Sequence, residues 1–325
     1  MIEKNIWSIQ DIWNSQLTFG RKDKPLVKRQ HIWASEIGKD FYERWLKMNA
    51  IKPDFDYDER TLRKFAAGDF FERIIGYVLI MAGILQYDNK WYQIPSADKT
   101  LAIVVKPDFV TGGKPDWQKV KNELDNNPLF KLMPVLERIS FALVEHIREK
   151  YPDGLKELVY EIKSVNSMLF WAKREYLIDA YPHHKMQLFA GMKATGLPEG
   201  RIFYISKDDL SVAEFSIFID DDKLNETFDK DVKKMSHYII NGIEPPKPPE
   251  IVFDETKSIK FIKNKEKKEI KGCWIPNWQI EWSNYLPTIT SCKTKEEWLE
   301  KVEKLAKDKN DEIKKEFIKK HYGNI

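Results

Sequence analysis

The chain has 325 residues, of which 42% are hydrophobic and 32% are charged. This composition supports a packed core and excludes disorder of the whole chain, and the length fits one elaborated domain or two domains. A formal net charge of +3 permits a polyanionic partner without requiring one. The two cysteines, Cys273 and Cys292, are too few for a disulfide framework or an all-cysteine metal cluster.

The amino-terminal sequence lacks the continuous apolar stretch of a signal peptide. The longest apolar run, at 77–85, is about half as long as a membrane span requires. We therefore expect a soluble cytoplasmic protein that does not interact with a membrane.

The first half of the chain combines helices with short strands. Residues 1–34 are predicted to form an irregular arm with one short helix, and Ser35 is the predicted N-cap of an amphipathic helix that ends at Met48. Apolar residues at three- and four-residue spacing predict a long helix over 58–82. The further predicted elements are strands at 91–94, 101–105, 108–110 and 158–163, with a helical insertion at 113–156 between the last two.

The second half continues this mixed pattern and ends in a charged tail. Its predicted elements are helices at 182–195 and 225–240, strands at 201–206 and 212–219, a proline-rich connector at 244–250 and a final helix at 294–320. We interpret the lysine-rich stretch 257–271 as a solvated helix face and the tryptophan-rich stretch 274–287 as irregular. The fold class is therefore mixed α/β with a helical tail. The predicted divisions are an arm at 1–34, a core at 35–246 and a tail at 247–325 that packs on the core.

Charged residues interrupt one of the apolar strands. In Val159-Tyr-Glu-Ile-Lys-Ser164, the alternation of a strand places Glu161 and Lys163 on one face and Ile162 on the other. A Glu and a Lys on an otherwise apolar strand are costly unless they pair or hold a ligand. A solvent-facing ion pair is the plainer interpretation of this short pattern taken alone.

Two further carboxylates lie in apolar surroundings. Asp108 follows the predicted strand 101–105, and Glu72 belongs to the long helix. Hard oxygen ligands of this kind suit Mg²⁺, with Asp108 and Glu161 as direct ligands, the Ile162 carbonyl as another, and Glu72 completing the set. Lys163, with a pKa lowered by partial burial and the metal, orients or deprotonates the attacking water. This set predicts metal-dependent phosphodiester hydrolysis.

These residues resemble the motifs of the PD-(D/E)XK nuclease superfamily, in its RecB-type exonuclease branch, which includes the CRISPR-associated adaptation exonucleases. Pro107-Asp108 resembles the PD element, Glu161-Ile-Lys163 the ExK element, and Gly68-x-x-x-Glu72 the preceding helical motif. His184-x-x-Gln187-Leu resembles the H-x-x-Q-L helix of that branch. The likeness extends from residue 35 to about 246.

The resemblance implies a restriction-endonuclease-like mixed β-sheet core flanked by helices. It also implies catalytic roles for Asp108, Glu161, Lys163, Glu72 and Gln187, with Mg²⁺ or Mn²⁺ as cofactor. The implied activity is that of a DNA exonuclease acting on single-stranded or duplex ends in recombination, repair or phage DNA metabolism. The implied setting is the cytoplasm of a bacterial, archaeal or phage-infected cell. No protein partner is indicated.

The sequence also departs from the branch. Gly191 stands where the branch often has a tyrosine, and Lys39-Asp40 stand where a cluster cysteine falls. The segment from Gly272 resembles the carboxyl-terminal cluster segment with most of its cysteines missing, so no iron–sulfur cluster is expected. We expect the tail to pack through its tryptophans instead, namely Trp274, Trp278 and Trp282.

Several residues near the site are candidates for contacts with DNA. His184 lies three residues before Gln187 on one helical face, and Ser164 and Asn166 follow the ExK strand. Trp171 with Lys173 offers a ring for stacking beside a cation. Each pattern has an ordinary structural explanation as well: surface groups at a helix start, loop capping, or a core tryptophan.

Three alternatives remain open at this stage. Pro115-Asp116 is a second PD pair, although Asp116 follows a Gly-Gly turn whereas Asp108 follows an apolar strand. A structure-specific or restriction-type endonuclease is the nearest rival activity. A catalytically inactive DNA-binding or assembly subunit is the rival from another class, since Gly191 and the missing cysteines depart from the exonuclease pattern.

Overall fold

The chain folds into two compact units, and neither unit is continuous in sequence. The computed structural model describes residues 8–18, 25–88, 90–97, 99–128, 135–167, 179–263 and 265–322. The first unit comprises Met1–Pro25, Arg29–Gly38 and Asp58–Asn241, and the second comprises Leu26–Lys28, Lys39–Tyr57 and Gly242–Ile325. This division differs from the continuous core predicted at 35–246, because residues 39–57 pack with the carboxyl-terminal part of the chain.

The first unit combines helices and strands. Its helices are α1 (Ile9–Thr18), α3 (Glu59–Met81), α4 (Trp117–Asn126), α5 (Val135–Lys150), α6 (Pro182–Thr195) and α7 (Asp222–Ile240). Its strands are β1 (His31–Trp33), β2 (Leu85–Asp88), β3 (Tyr92–Ile94), β4 (Ala102–Val105), β5 (Phe109–Gly113), β6 (Leu155–Val165), β7 (Glu199–Ser206) and β8 (Val212–Phe218). Helices α4 and α5 lie in the insertion predicted between β5 and β6. The mixed α/β class is confirmed.

A five-stranded mixed sheet forms the centre of this unit. Its strand order is β2-β5-β6-β7-β8, with β6 antiparallel to β5 and parallel to β7. The central position of β6 explains why Val159 and Ile162 are buried on opposite sides of the strand. The parallel β6–β7 pair needs a long crossover, and α6 lies within that crossover and packs on both strands.

A smaller sheet lies in the same unit and has the order β1-β4-β3. Strand β1 runs parallel to β4, with Trp33 opposite Val104, and β3 runs antiparallel to β4, with Tyr92 opposite Val105. The prediction that residues 1–34 form an irregular arm is therefore wrong for β1. This strand is too short for its alternation to be visible in the sequence.

The second unit is built around α2 and the carboxyl-terminal part of the chain. Its helices are α2 (Phe41–Met48), α8 (Trp278–Glu281), α9 (Leu286–Thr290) and α10 (Lys295–Tyr322), and its strands are β9 (Ile251–Lys263) and β10 (Glu266–Pro276). Its core joins Tyr42 and Leu46 to apolar residues of the tail, with Trp298 fully buried. Trp274 packs against this core, whereas Trp278 and Trp282 remain exposed, so the expected packing of all three rings is wrong for two of them.

Two local predictions for this unit are also wrong. The lysine-rich stretch 257–271 is not a helix face but most of an antiparallel hairpin of β9 and β10. The N-cap of the first predicted helix is not Ser35 but Asp40, whose side chain accepts a hydrogen bond from the Glu43 amide at 3.0 Å. The tryptophan-rich stretch contains α8 and α9.

The long helix α3 packs on a face that its apolar spacing does not predict. Leu62 and Gly76 are buried, whereas Phe65, Phe70 and Ile74 remain exposed. Because Gly76 has no side chain, the helix backbone can approach the Phe109 ring of the sheet closely at this position. The spacing of apolar residues does not predict which face makes this contact. Among the described helices, none combines the length and the apolar character needed to cross a membrane.

Candidate functional site

Adjacent strands of the central sheet bring Asp108 beside the ExK strand. Phe109 at the start of β5 lies opposite Tyr160 in β6, so Asp108, one residue earlier, reaches the Glu161–Ile162 segment. The Oδ2 atom of Asp108 accepts a hydrogen bond from the Ile162 amide at 2.7 Å. The predicted link between residues that are far apart in the sequence is therefore present.

Glu161 and Lys163 lie on the same face of β6, as the alternation of a strand requires. Glu161 is 2% exposed, and its Oε1 accepts a hydrogen bond from Nζ of Lys163. A buried carboxylate is costly without such a partner. The partly exposed ammonium group of Lys163 thus balances one of the carboxylates of the site.

Helix α3 brings Glu72 over this part of the sheet. Gly68, Glu72 and Gly76 follow each other at four-residue spacing and so share one face of the helix. A Cβ atom at Gly68 would lie 3.5 Å from Oγ of Ser164, and one at Gly76 would lie 3.0 Å from the Phe109 ring. The two glycines therefore allow the close approach that places Glu72 between them.

Burial raises the pKa of all three carboxyl groups, and repulsion from Asp108 adds to the rise at Glu72 and Glu161. Burial, reinforced by the charge of Asp108, raises the pKa of Glu161 to about 8 and that of Glu72 to about 7. Burial also raises the pKa of Asp108, although Lys163 and the Ile162 amide oppose the shift. Glu72 and Glu161 therefore lie close enough to Asp108 to interact with its charge.

The pKa of Lys163 is governed by two opposing effects. Burial lowers the pKa of its ammonium group, but the carboxylates of Glu161 and Asp108 outweigh burial and raise that pKa. The lowered pKa predicted from the sequence depends on a metal ion beside Lys163 as well as on burial, so it stays a prediction. A cationic Lys163 is suited to orienting an anion or a water molecule.

The chemistry of the donors fits a small divalent cation. Among the described residues, no three His, Cys, Asp or Glu side chains form a ready-made metal cage. Mg²⁺ does not need such a cage, since it is often held by one or two carboxylates together with water. Asp108 and Glu161 supply those carboxylates, and a bound cation would offset the cost of burying their negative charge. Ile162 contributes its amide to Asp108, and its carbonyl stays a predicted ligand.

Helix α6 carries His184 and Gln187. The hydroxyl of Tyr204 accepts a hydrogen bond from the Tyr181 amide at 3.2 Å and lies 2.7 Å from Nδ1 of His184. Tyr204 in turn lies opposite Lys163 in the β6–β7 register, so His184 is linked to the ExK strand. Gln187 lies one turn further along the same helix and is partly buried. Its role in the site stays a prediction.

Gly191 lies at a tightly packed position of α6. A Cβ atom at this position would lie 3.3 Å from Cγ1 of Val159 and 3.4 Å from Cγ of Pro107. Because α6 packs this closely on the residue before Asp108, a large ring has no room there. Gly191 therefore contributes to the site by allowing this approach.

The remaining predicted DNA contacts have different outcomes. Ser164 lies beside Gly68, at the point where α3 meets β6, and Asn166 is exposed just beyond β6. Both stay candidates for contacts with a phosphate. Trp171 and Lys173 lie outside the described residues.

The rival aspartate has a structural role. Asp116 is the N-cap of α4, and its Oδ1 accepts hydrogen bonds from the amides of Gln118 at 2.9 Å and Lys119 at 3.3 Å. This role accounts for the Pro115-Asp116 pair without catalysis. Asp108, and not Asp116, is brought to Glu161.

The sequence reasoning missed two residues that contribute to the site. Lys106 lies close enough to oppose the pKa rise of both Glu72 and Asp108, and with Glu72 it lines a cavity of about 480 Å³ beside α3. Its position directly before Pro107-Asp108 was a possible signal. The second is Tyr204, whose link to His184 depends on the β6–β7 register and leaves no local signal in the sequence.

Comparisons with known proteins add little to this geometry. No protein-family model and no curated protein matches the chain. A solved structure described as "Crystal structure of SSO0001" is similar with a TM-score of 0.43 and 14% sequence identity, over 74% of this chain and 89% of that one. A likeness at this level assigns neither a family nor an activity.

Proposed function

We propose that this protein is a metal-dependent DNA nuclease that hydrolyses phosphodiester bonds. The observation that carries the proposal is the convergence of three carboxylates and a lysine, distant in sequence, at the neighbouring strands β5 and β6 of the central sheet. Within this proposal, the five-stranded sheet is a restriction-endonuclease-like core, since adjacent strands supply Asp108 and Glu161 and a helix over the sheet supplies Glu72.

Each residue has a distinct role in this proposal. Asp108 and Glu161 hold Mg²⁺ or Mn²⁺, and Glu72 holds a water molecule at the edge of the site. When bound, the cation supplies charge neutralisation at the reacting phosphate. Lys163 is the positive group that orients the attacking water or a phosphate oxygen. Gln187, on the helix that carries His184, is the proposed positioning residue for the site and DNA.

The proposed activity is tested by degradation of end-labelled single-stranded and duplex DNA with Mg²⁺ or Mn²⁺. We expect cleavage by the wild type and a loss of at least about a hundredfold in Asp108→Ala and Lys163→Ala, as is usual when groups that stabilise the transition state are removed. Asp116→Ala is the matched control, because it removes the other PD aspartate and disturbs only a helix cap. Equal activity in the wild type, Asp108→Ala and Lys163→Ala refutes the proposal.

Covalently closed circular DNA separates the two kinds of nuclease. An obligate exonuclease leaves the circle intact, whereas an endonuclease cuts it. We propose exonuclease action in recombination, repair or phage DNA metabolism, supported by the likeness of the ordered motifs to the RecB-type branch. Cleavage of the circle replaces this proposal with the endonuclease.

A non-catalytic DNA-binding or assembly subunit is the second candidate. The Glu161–Lys163 ion pair favours it, since a lysine that neutralises this carboxylate reduces the need for a metal ion. Calorimetry distinguishes the two. Mn²⁺ binding that is lost in Asp108→Ala supports the nuclease, whereas DNA binding without any Mn²⁺ binding supports the subunit.

A further inference from the structure

Two exposed aromatic rings lie at the turn between β2 and β3. Trp91 is 54% exposed and directly precedes β3, and Tyr87 in β2 is 50% exposed. Large rings that remain accessible to this extent are suited to contact a planar partner. We name Tyr87, Lys90, Trp91 and Lys106 the aromatic platform.

Positive charges accompany these rings. Nζ of Lys90 lies 4.6 Å from the centre of the Tyr87 ring, and Nζ of Lys106 lies 5.9 Å from the centre of the Trp91 ring. Cations beside rings are the combination that single-stranded nucleic acids require, because the bases stack while the phosphates need positive charge. An apolar partner protein would not require the two lysines.

The Trp91 ring is held in place by its neighbour. Trp33 in β1 contacts it in a T-shaped arrangement with ring centres 5.2 Å apart and an angle of 77°. The guanidinium carbon of Arg29 lies 5.9 Å from the centre of the Trp33 ring, and Arg29 pairs with Glu36 at 2.9 Å. A ring that is fixed before binding loses little conformational freedom when a base stacks on it.

Lys106 connects this platform to the carboxylates. It lies two residues before Asp108, and it lines the cavity of about 480 Å³ together with Glu72. A strand whose bases lie against Trp91 would therefore have its phosphates near Lys106, which lies beside both the Trp91 ring and the cavity lined by Glu72.

We propose that the aromatic platform binds the bases of single-stranded DNA and guides the strand to the carboxylate site, an inference that rests on the proposed function. Unpaired bases are required, since the faces of paired bases are covered inside a duplex. The substrate class is therefore DNA with a single-stranded end, and a blunt duplex gains nothing from the platform.

The test measures DNA binding in EDTA, so that no cleavage occurs, by fluorescence anisotropy of a labelled oligonucleotide. Trp91→Ala is expected to weaken binding roughly 5- to 150-fold, the range for losing one base–ring stack, whereas Trp91→Phe retains most of it. An abasic oligonucleotide of the same length keeps the phosphates but has no bases. It should bind the wild type and Trp91→Ala equally.

The second unit supplies a matched control. Trp282 is 57% exposed, and Nζ of Lys295 lies 4.2 Å from the centre of its ring. Trp282→Ala should bind the oligonucleotide as the wild type does. Trp91→Leu keeps apolar volume beside Trp33 but has no aromatic ring. If Trp91→Ala does not fold, oligonucleotide binding by Trp91→Leu is compared with that of the wild type instead.

Three results overturn the proposal: unchanged binding in the variants without a ring at position 91, an equal loss with the abasic strand, or an equal loss in Trp282→Ala. Lack of oligonucleotide binding by the wild type also overturns it. Failure of the nuclease proposal is recognised separately. It appears as absence of metal-dependent cleavage by the wild type, while the binding difference at Trp91 remains measurable in EDTA.

Discussion

The two glycines that flank Glu72 permit a sharp test of how α3 positions the site. Both are interior helix positions, where alanine is favoured over glycine by about 1 kcal/mol when nothing obstructs its methyl group. At Gly68 the added carbon would lie 3.5 Å from Oγ of Ser164, an ordinary contact distance. We therefore expect Gly68→Ala to stabilise the protein by about 0.5–1 kcal/mol.

At Gly76 the same substitution meets an obstacle. The added carbon would lie 3.0 Å from Cε1 and 3.1 Å from Cζ of Phe109, a ring that is 3% exposed and cannot move into solvent. Overpacking of this kind costs typically about 1–3 kcal/mol, which cancels or exceeds the helix gain. Gly76→Ala is therefore expected to change the free energy of unfolding by between about 0 and −2 kcal/mol.

The pair is measured by urea unfolding and by cleavage of labelled DNA. In Gly76→Ala, relief of the contact shifts α3 and with it Glu72, so we expect activity to fall at least about tenfold, since small misplacements at a reacting centre are costly. Gly68→Ala keeps near wild-type activity. If Gly76→Ala is as stable and as active as Gly68→Ala, then the close approach at Phe109 does not position Glu72.

Three further substitutions test the site and the second core. The pKa of Glu161 is raised to about 8, so the stability that this group contributes below its unfolded-state pKa is lost as pH rises to about 8. Glu161→Gln should therefore melt higher than the wild type in EDTA, by a margin that grows from pH 6 to about 8 and then levels off. Tyr204→Phe removes the hydroxyl beside His184 and should cost about 1–2 kcal/mol in urea unfolding. Trp298→Ala empties the centre of the second core and should cost about 3–5 kcal/mol, whereas Trp298→Phe should cost less.

The site was predictable from the sequence where it depends on local periodicity. The alternation of a strand places Glu161 and Lys163 on one face, and the four-residue spacing of a helix places Gly68 and Glu72 on another. Convergence of these elements on Asp108 followed from the likeness to a known order of motifs. For Lys106 the sequence offered only its position directly before Pro107-Asp108, because its approach to Glu72 depends on where β4 ends relative to α3.

The second unit was much less predictable. The hairpin of β9 and β10 reverses between Lys263 and Glu266, where Lys265 adopts a φ of 64° without a glycine to mark the turn. Its strands contain so many lysines that the alternation of apolar and polar residues typical of a strand is hard to recognise in the sequence. The packing of α2 and the residues after it against the tail depends on contacts between residues far apart in sequence. One example is the Tyr285 hydroxyl, which donates a hydrogen bond to the Ile51 carbonyl at 3.0 Å, 234 residues away in the sequence. Local patterns do not contain such pairings.

The Glu161–Lys163 pair bears on how the site exchanges cations. In the structure the ammonium group of Lys163 occupies one oxygen of Glu161, so a divalent cation must compete with it. If so, Lys163→Gln should bind Mn²⁺ more tightly than the wild type and yet be inactive. We expect at least about a tenfold gain, because one neighbouring charge changes the proton affinity of a carboxylate by about 1–3 pKa units.

Lys163→Arg is the matched control, since it keeps the positive charge and should bind Mn²⁺ about as the wild type does. Calorimetry at constant pH measures both affinities, and DNA cleavage measures both activities. Tighter Mn²⁺ binding without cleavage separates the two roles of the lysine: it competes for the carboxylate in the free protein and acts on the substrate during the reaction. Weaker Mn²⁺ binding in Lys163→Gln would instead mean that Lys163 holds Glu161 in the orientation the cation needs, and the competition argument would be wrong.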